Sequence, residues 1–133
     1  MHELVIVNGI LDALNELSKK EGKGISKFIV AVGELASFNK DLIDDLLKTL
    51  KKGTKLENAD YEVVVEKAHV ICRKCGADMG FNELIQPLTE HEKEMIHFLP
   101  ELVSSFTKCI NCGSRDMEIK SGRGIRVSYV EFR

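Results

Sequence analysis

The amino-terminal part of the chain carries apolar residues first at helical spacing and then in a strand-like run. Apolar side chains recur every three or four residues as far as Leu17. This spacing predicts a helix from about His2 to Lys19, and Gly22 is placed to end it. Residues 25–35 then form a β-branched run that is typical of a strand.

A second helix and a second strand follow in the same manner. Ser37 or Asn39 can cap the helix, and Gly53 can end it. The predicted buried face of this helix consists of Leu42, Ile43, Leu46, Leu47 and Leu50. The second strand is predicted from Tyr61 to Val65, with Tyr61, Val63 and Val65 on one face.

The carboxyl-terminal run from Ile125 to Phe132 has the alternation of a half-buried strand, with Ile125, Val127 and Tyr129 on the buried side. We expect it to return to the sheet begun by residues 25–33 and 61–66. The sequence therefore predicts an α+β fold, with a small mixed sheet, two helices and an inserted zinc-ribbon-like lobe that holds four cysteines. The expected boundaries are 1–67 and 115–133 for the α+β domain and 68–114 for the inserted lobe.

All four cysteines lie in two C-x-x-C pairs, Cys72 with Cys75 and Cys109 with Cys112, and each pair is followed by glycine. Two intervening residues allow a tight turn to direct both sulfurs at one ion, and glycine tolerates the positive φ that such turns need. Two pairs predict a closed four-thiolate structural zinc site. The long gap between the pairs is predicted to hold a short hairpin around Met79 to Leu84 and an irregular or helical stretch from Thr89 to Ser105.

Other chemistries fit the cysteines less well. Disulfides suit secreted chains, and no signal peptide is recognisable here. A dithiol redox site needs only one pair, and iron–sulfur clusters more often use other spacings. The chain has a net charge of −2 and no apolar run long enough to span a bilayer, so we expect a soluble cytoplasmic protein that binds no membrane.

A zinc ribbon that binds nucleic acid is the main alternative function. Such a domain should be basic, but residues 68–114 contain four Lys or Arg against six Asp or Glu. This balance argues against nucleic acid as a partner. The sequence contains no P-loop, H-E-x-x-H or nucleophile-elbow motif, and the cysteines are assigned to zinc, so we do not expect an enzyme.

The chain starts Met1-His2-Glu3, which offers a second metal site. The terminal amine, the His2 amide and the His2 imidazole can chelate one ion. The amides of His2 and Glu3 with the same imidazole are an alternative set. Three nearly coplanar nitrogens suit nickel(II) or copper(II) better than zinc. Taken alone, histidine at position 2 is also explained by chance, and Glu3 by the preference of helix starts for acidic residues.

A combination of motifs spread over nearly the whole chain gives this start more weight. These motifs are Met1-His2-Glu3-Leu4, Val30-Ala31-Val32-Gly33-Glu34-Leu35, the two C-x-x-C pairs, Ile96-His97-Phe98-Leu99-Pro100-Glu101 and Gly122-Arg123-Gly124. Together they resemble the HypA family of hydrogenase and urease nickel-incorporation proteins, in its archaeal form.

The resemblance implies a cytoplasmic nickel metallochaperone. It implies nickel(II) held by Met1, His2 and Glu3, with His97 as an additional ligand, and structural zinc at the four cysteines. It further implies work with a HypB-type GTPase and delivery of nickel to the large-subunit precursor of [NiFe]-hydrogenase. Without the resemblance, His97 also fits a hydrogen-bonded histidine at the edge of an apolar turn. A lobe on two linkers permits a homodimer with exchanged lobes.

Overall fold

The computed structural model describes residues 2–36 and 38–133. Its helices are α1 (Glu3–Glu21), α2 (Lys40–Leu50), α3 (Phe81–Ile85), α4 (Glu90–Phe98) and α5 (Val103–Phe106), with a 3-10 turn at Pro100–Leu102. Its strands are β1 (Ile25–Gly33), β2 (Asp60–Glu66), β3 (His69–Cys72), β4 (Asp78–Gly80), β5 (Met117–Ser121) and β6 (Ile125–Phe132). No helix in the described ranges is long and apolar enough to cross a membrane.

Helix α1 agrees with its sequence prediction. Its buried face includes Val7, Leu11 and Leu14, which recur at helical spacing. The helix ends at Gly22, which adopts a left-handed φ of 68° and donates its backbone N–H to the Lys19 carbonyl. Glycine takes this conformation without the steric cost that a Cβ would bring, and this confirms its predicted role as the helix stop.

Helix α2 is capped by Asn39, whose side-chain oxygen accepts a hydrogen bond from the Leu42 amide at 3.1 Å. Ser37, the other predicted cap, lies outside the described residues. Within the helix, only Ile43 and Leu47 are buried. The prediction that Leu42 is buried is wrong, since its side chain is 41% exposed. Leu42 is rotated by about 100° from Ile43 around the helix axis, which takes it off the narrow buried stripe.

The first sheet has the strand order β2-β1-β6. Strand β6 runs antiparallel to β1, from the pair Ile25 and Phe132 at one end to the pair Val32 and Ile125 at the other. The last strand therefore returns to the sheet begun near the amino terminus, as predicted. This connection makes the intervening four-cysteine segment an insertion within an α+β fold.

A β-bulge in β6 changes which of its side chains are buried. Ile29 pairs with Tyr129, but the next residue, Val30, pairs with Val127, so Ser128 is the extra residue. The extra residue shifts the alternation by one position. Val130 is consequently half-buried, and Tyr129 is 45% exposed. The prediction that Tyr129 lies on the buried side is wrong for this reason.

Strand β2 follows the predicted alternation only over its first part. The Tyr61 ring stacks on the Phe28 ring with 5.9 Å between centroids, and Val63 is half-buried. Val65 was expected on the same covered face, but its side chain is 50% exposed. The regular alternation of half-buried and exposed residues in β2 breaks at this position, where Val64 and Val65 are both exposed and Glu66 is half-buried.

The second sheet has the order β4-β3-β5, and both outer strands run antiparallel to β3. The hairpin predicted around Met79 to Leu84 is not formed. Strand β4 pairs instead with β3, across the first cysteine pair, and α3 begins immediately after Gly80. The buried residues of α3 are Phe81, Leu84 and Ile85, which is the i, i+3, i+4 pattern of a helix.

Buried apolar side chains from all parts of the inserted segment form one core. Its members are Ala68, Val70, Cys72, Met79, Phe81, Leu84, Ile85, Ile96, Val103, Cys109 and Met117. Two of the four cysteines thus belong to this core.

The chain divides into two compact units. The first comprises Met1–Val32, Ser37–Val65 and Ile125–Arg133, and the second comprises Gly33–Ala36 and Glu66–Gly124. The sequence placed the second boundary at 114/115. The structure carries residues up to Gly124 in the second unit, because β5 pairs with β3 rather than with β1.

The short segment Gly33–Ala36 is tied to the rest of the second unit by both backbone and side chain. Its amides donate, at 2.7–2.8 Å, from Gly33 to Gly124, from Glu34 to Glu66 and from Leu35 to Gly122. The Glu34 carboxylate accepts hydrogen bonds from the Ala68 amide and from the Asn82 side chain, each at 2.8 Å. A segment continuous with β1 thereby completes the second unit.

Candidate metal centre

The first cysteine pair forms a tight turn at the end of β3. The Gly76 amide donates to the Cys72 carbonyl at 2.8 Å, and the Cys72 amide donates to the Ala77 carbonyl at 2.9 Å. The Cys75 amide approaches the Cys72 sulfur at 3.5 Å. Gly76 has a φ of +79°. The backbone amide thus faces the sulfur, and glycine occupies the position that needs a positive φ, as predicted.

The second pair repeats this geometry bond for bond. The Gly113 amide donates to the Cys109 carbonyl at 2.9 Å, and the Cys109 amide donates to the Ser114 carbonyl at 2.8 Å. The Cys112 amide lies 3.4 Å from the Cys109 sulfur, and Gly113 has a φ of +76°. Two copies of one turn therefore present their sulfurs in the same way.

The four sulfurs converge on one point. Cys72 and Cys112 are 3.5 Å apart, Cys75 and Cys109 are 3.6 Å apart, and all four sulfurs lie within 4.8 Å of one another. A disulfide requires about 2.05 Å, so these distances are not disulfide bonds. A tetrahedral ion with metal–sulfur bonds of about 2.3 Å holds its sulfurs about 3.8 Å apart. The cluster has the size of such a shell.

Hydrogen bonds favour thiolate at the first pair. A hydrogen bond with the Asn111 side chain, together with the Ala77 amide, lowers the pKa of Cys75 to about 6. The Cys75 amide lowers the pKa of Cys72. Because thiolates rather than thiols bind metal, these contacts favour the metal-binding form of the first pair.

Arg73, inside the first turn, connects that turn to the chain beyond the second one. Its guanidinium lies 3.3 Å from the Asp116 carboxylate and 2.9 Å from the Glu118 carboxylate, and its amide donates to the Asp116 carbonyl. The sequence analysis did not single out this residue. Its position between two cysteines marks it as part of the turn, but its partners are more than forty residues away and have no local signal.

The amino-terminal residues lie in the first unit. His2 is exposed and precedes the first turn of α1, and its side chain makes no capping hydrogen bond. Glu3 is the first residue of α1 and is only 6% exposed. Its carboxylate accepts a hydrogen bond from the Asn39 amide at 3.1 Å. Met1, the remaining predicted ligand from this end, lies outside the described residues.

His97 lies in the second unit, in the last turn of α4. Its side chain is exposed and borders a groove with Glu83 and Lys93, while the neighbouring Phe98 is 91% exposed. Helix α4 begins with a capping box between Thr89 and Glu92, which fixes the start of this helix. In residues 2–36 and 38–133, the four cysteines are the group of metal-binding side chains whose ligand atoms come together.

A model of the family described as "Hydrogenase/urease nickel incorporation, metallochaperone, hypA" matches residues 1–132. The chain belongs to the HypA family. It is 37% identical over 133 residues to the hydrogenase maturation factor HypA of Thermococcus onnurineus, covering 99% of this chain and 96% of that protein. The HypA of Thermococcus sibiricus is 35% identical over 132 residues, covering 98% of this chain and 96% of that one.

Solved HypA structures share the fold. The solution structure of the nickel metallochaperone HypA from Helicobacter pylori matches with a TM-score of 0.60 at 21% identity, over 99% of this chain and 97% of that one. A second HypA solution structure matches with a TM-score of 0.65 at 21% identity, over 100% and 97% of the two chains. These likenesses support the predicted α+β architecture with its four-cysteine lobe.

HypA membership decides between the functions that the sequence left open. The family description is that of a metallochaperone for nickel incorporation, which is a carrier rather than a catalyst. The predicted role in hydrogenase maturation agrees with the curated relatives. The family assignment also favours the carrier over the nucleic-acid-binding zinc ribbon.

Proposed function

We propose that this HypA protein binds nickel(II) at its amino terminus and delivers it for the maturation of [NiFe]-hydrogenase. The family match over residues 1–132 carries the proposal. The position of His2 supports it, because an exposed histidine ahead of α1 leaves its imidazole accessible. Residues at the cap and first position of a helix also lie ahead of the helical hydrogen-bond ladder. Coordination by their amide nitrogens therefore removes no bond from that ladder.

The proposed nickel ligands are Met1, His2 and Glu3, with His97 as an additional ligand. Nitrogen donors in a plane suit nickel(II), and an exposed imidazole on α4 supplies one more. A site built at the start of a chain can open without unfolding the core, which suits an ion that must be handed on.

The second metal of the proposal is a structural zinc at Cys72, Cys75, Cys109 and Cys112. The donor set supports zinc, because four sulfurs at tetrahedral spacing leave no open position for a substrate. Two of the sulfurs also lie in the core of the second unit. Bound zinc would therefore contribute to folding and would exchange slowly compared with the nickel cargo.

The proposed partners follow from the hydrogenase maturation role. They are a HypB-type GTPase and the large-subunit precursor of [NiFe]-hydrogenase, in the cytoplasm. Four cysteines that form no disulfide are consistent with a reducing compartment. A homodimer with exchanged lobes also belongs to the proposal, because residues 66–124, the larger part of the second unit, are joined to the first unit only at their two ends.

A nickel titration of the untagged protein tests the amino-terminal site. We expect near-stoichiometric binding with the absorption of planar nickel(II), and loss of that binding in His2→Ala. His97→Ala should change the affinity or the spectrum. His91→Ala is the matched control, because His91 is an exposed histidine of the same helix as His97 and is outside the proposed site. Wild-type binding by His2→Ala would show that the amino-terminal site is wrong.

A further inference from the structure

Glu3 is unusual among the acidic residues because its side chain is buried. It is 6% exposed and lies on the same face of α1 as the core residues Val7 and Leu11. Carboxylates are almost never this buried unless they have a partner. The burial indicates that this carboxylate has a role within the protein fold.

One partner of the Glu3 carboxylate is the start of α2. The Asn39 backbone amide donates to Oε2 of Glu3 at 3.1 Å, across 36 positions in sequence. Asn39 is also the cap of α2, and its side chain accepts from the Leu42 amide. A carboxylate at a helix amino end is favoured by the helix dipole, and its hydrogen bonds with amides are charge-assisted. Glu3 therefore connects the starts of α1 and α2.

This connection restrains the residues that precede it. His2 adjoins Glu3, and its carbonyl accepts the first hydrogen bond of α1 from Ile6 at 3.1 Å. A held Glu3 side chain limits the movement of the first turn of α1, to which the His2 carbonyl is hydrogen-bonded. Donor atoms on His2 and on the Glu3 backbone are thereby restrained before any ion arrives, which lowers the entropy cost of binding.

We propose that the Glu3 carboxylate is a positioning group of the nickel site, held by the Asn39 amide, and that it is not itself a nickel ligand. This inference rests on the proposed amino-terminal site. It narrows the set of candidate ligand atoms, because only the backbone amide of Glu3 would then bind nickel. A carboxylate ligand would have to leave its buried position and give up the charge-assisted hydrogen bond from the Asn39 amide.

Substitutions of Glu3 separate positioning from ligation. In Glu3→Ala we expect nickel to bind about tenfold more weakly, because a charge-assisted hydrogen bond is lost, while the planar nickel absorption at saturation keeps its position and shape. Glu3→Gln retains an oxygen that can accept from Asn39, so we expect it to recover much of the lost affinity. A ligand role predicts instead that the saturated spectrum shifts in both variants.

Substitutions of Asn39 test the same contact from the other side. Asn39→Pro removes the donor N–H, and the φ of −81° at this position suits proline. Asn39→Ala removes the side-chain cap but keeps the amide. We expect Asn39→Pro to lose about tenfold in nickel affinity with an unchanged spectrum, and to lose more than Asn39→Ala. Lys40→Pro is the control for proline itself, since it occupies the first position of α2, where proline is tolerated.

The outcomes distinguish this inference from the proposed function. If His2→Ala binds nickel normally, the amino-terminal site is wrong. If His2→Ala loses nickel but Glu3→Ala shifts the saturated spectrum, only the positioning role is wrong. Wild-type nickel affinity in both Glu3→Ala and Asn39→Pro would also overturn it, because the contact would then serve stability alone. Thermal unfolding and the metal content of the cysteine site establish that each variant is folded.

Discussion

Gly33 and Gly122 occupy positions where the backbone packs too closely for any side chain. A Cβ on Gly33 would lie 2.3 Å from the Gly122 carbonyl oxygen, which is closer than such atoms can approach. Gly122 has a φ of +83°, and its own Cβ would lie 2.7 Å from the Ala68 Cα. Backbone therefore packs directly on backbone where the Gly33–Ala36 segment joins the second unit.

Gly33→Ala should destabilise the protein by about 2–4 kcal/mol, because the obstructing atom is backbone and cannot rotate away. Gly9→Ala is the matched control, since Gly9 lies within α1 and its added Cβ would meet nothing within 4 Å. That change should stabilise by about 0.5–1 kcal/mol. Urea unfolding of both variants measures the difference, and equal stabilities would contradict the close approach.

At this scale, the sequence predicts contacts between neighbours and misses those between distant residues. The C-x-x-C-Gly pattern predicts both turns, because the hydrogen-bonded atoms of each turn are at most five positions apart. The contact of Glu3 with Asn39 has no local signal, and neither has that of Glu34 with Ala68. A sequence shows that Asn39 can cap a helix, but not which distant carboxylate its amide will meet.

Helices and strands are predicted well from the sequence where the spacing of apolar residues follows one period without interruption. Helix α1 spans 19 residues with one unbroken helical periodicity, and the sequence predicts it closely. Strand β6 contains a bulge for which the sequence gives no local signal. Ser128 shifts the pairing with β1, and the buried and exposed positions after it exchange. Alternation alone therefore assigns Tyr129 and Val130 to the wrong sides.

The bulge has a measurable consequence for stability. Val130→Ser should destabilise by about 1–2 kcal/mol, because the Val130 side chain is half-buried. Tyr129→Ser should cost less, because Tyr129 is 45% exposed and its hydroxyl donates to a carboxylate at the surface. Thermal unfolding ranks the stabilities of the two variants. If Tyr129→Ser were the more destabilising change, the bulge would be wrong and Tyr129 would lie on the buried side, as uninterrupted alternation predicts.

For the whole molecule, the sequence predicted an inserted lobe but not where it ends. Strands β5 and β6 are separated by a short turn and have similar alternation, so local pattern cannot decide which partner each chooses. Pairing assigns β5 to β3 in the second unit and β6 to β1 in the first. The inclusion of Gly33–Ala36 in the second unit depends on hydrogen bonds with residues far along the chain.

Removal of metal from the cysteines should affect the two units unequally. Cys72 and Cys109 belong to the small core of the second unit, so a metal held by the cysteines would stabilise that unit first. After chelation, we expect amide protons of β3 and β5 to lose protection from hydrogen exchange, while those of α1 retain it. Addition of zinc, the metal proposed for this site, should restore protection. Equal loss in both units would show that the cysteines stabilise the fold as a whole.

The Gly33–Ala36 segment also limits how easily the four-cysteine lobe can be transferred to another protein. A graft of residues 66–124 into another protein would carry all four cysteines but leave behind the Glu34 carboxylate and three amide donors. The Ala68 amide and the Gly122 carbonyl would lose their partners. Insertions or deletions in the connection between β1 and α2 should therefore be tolerated poorly. The first residues of this connection belong to the second unit, whose other residues begin thirty positions later.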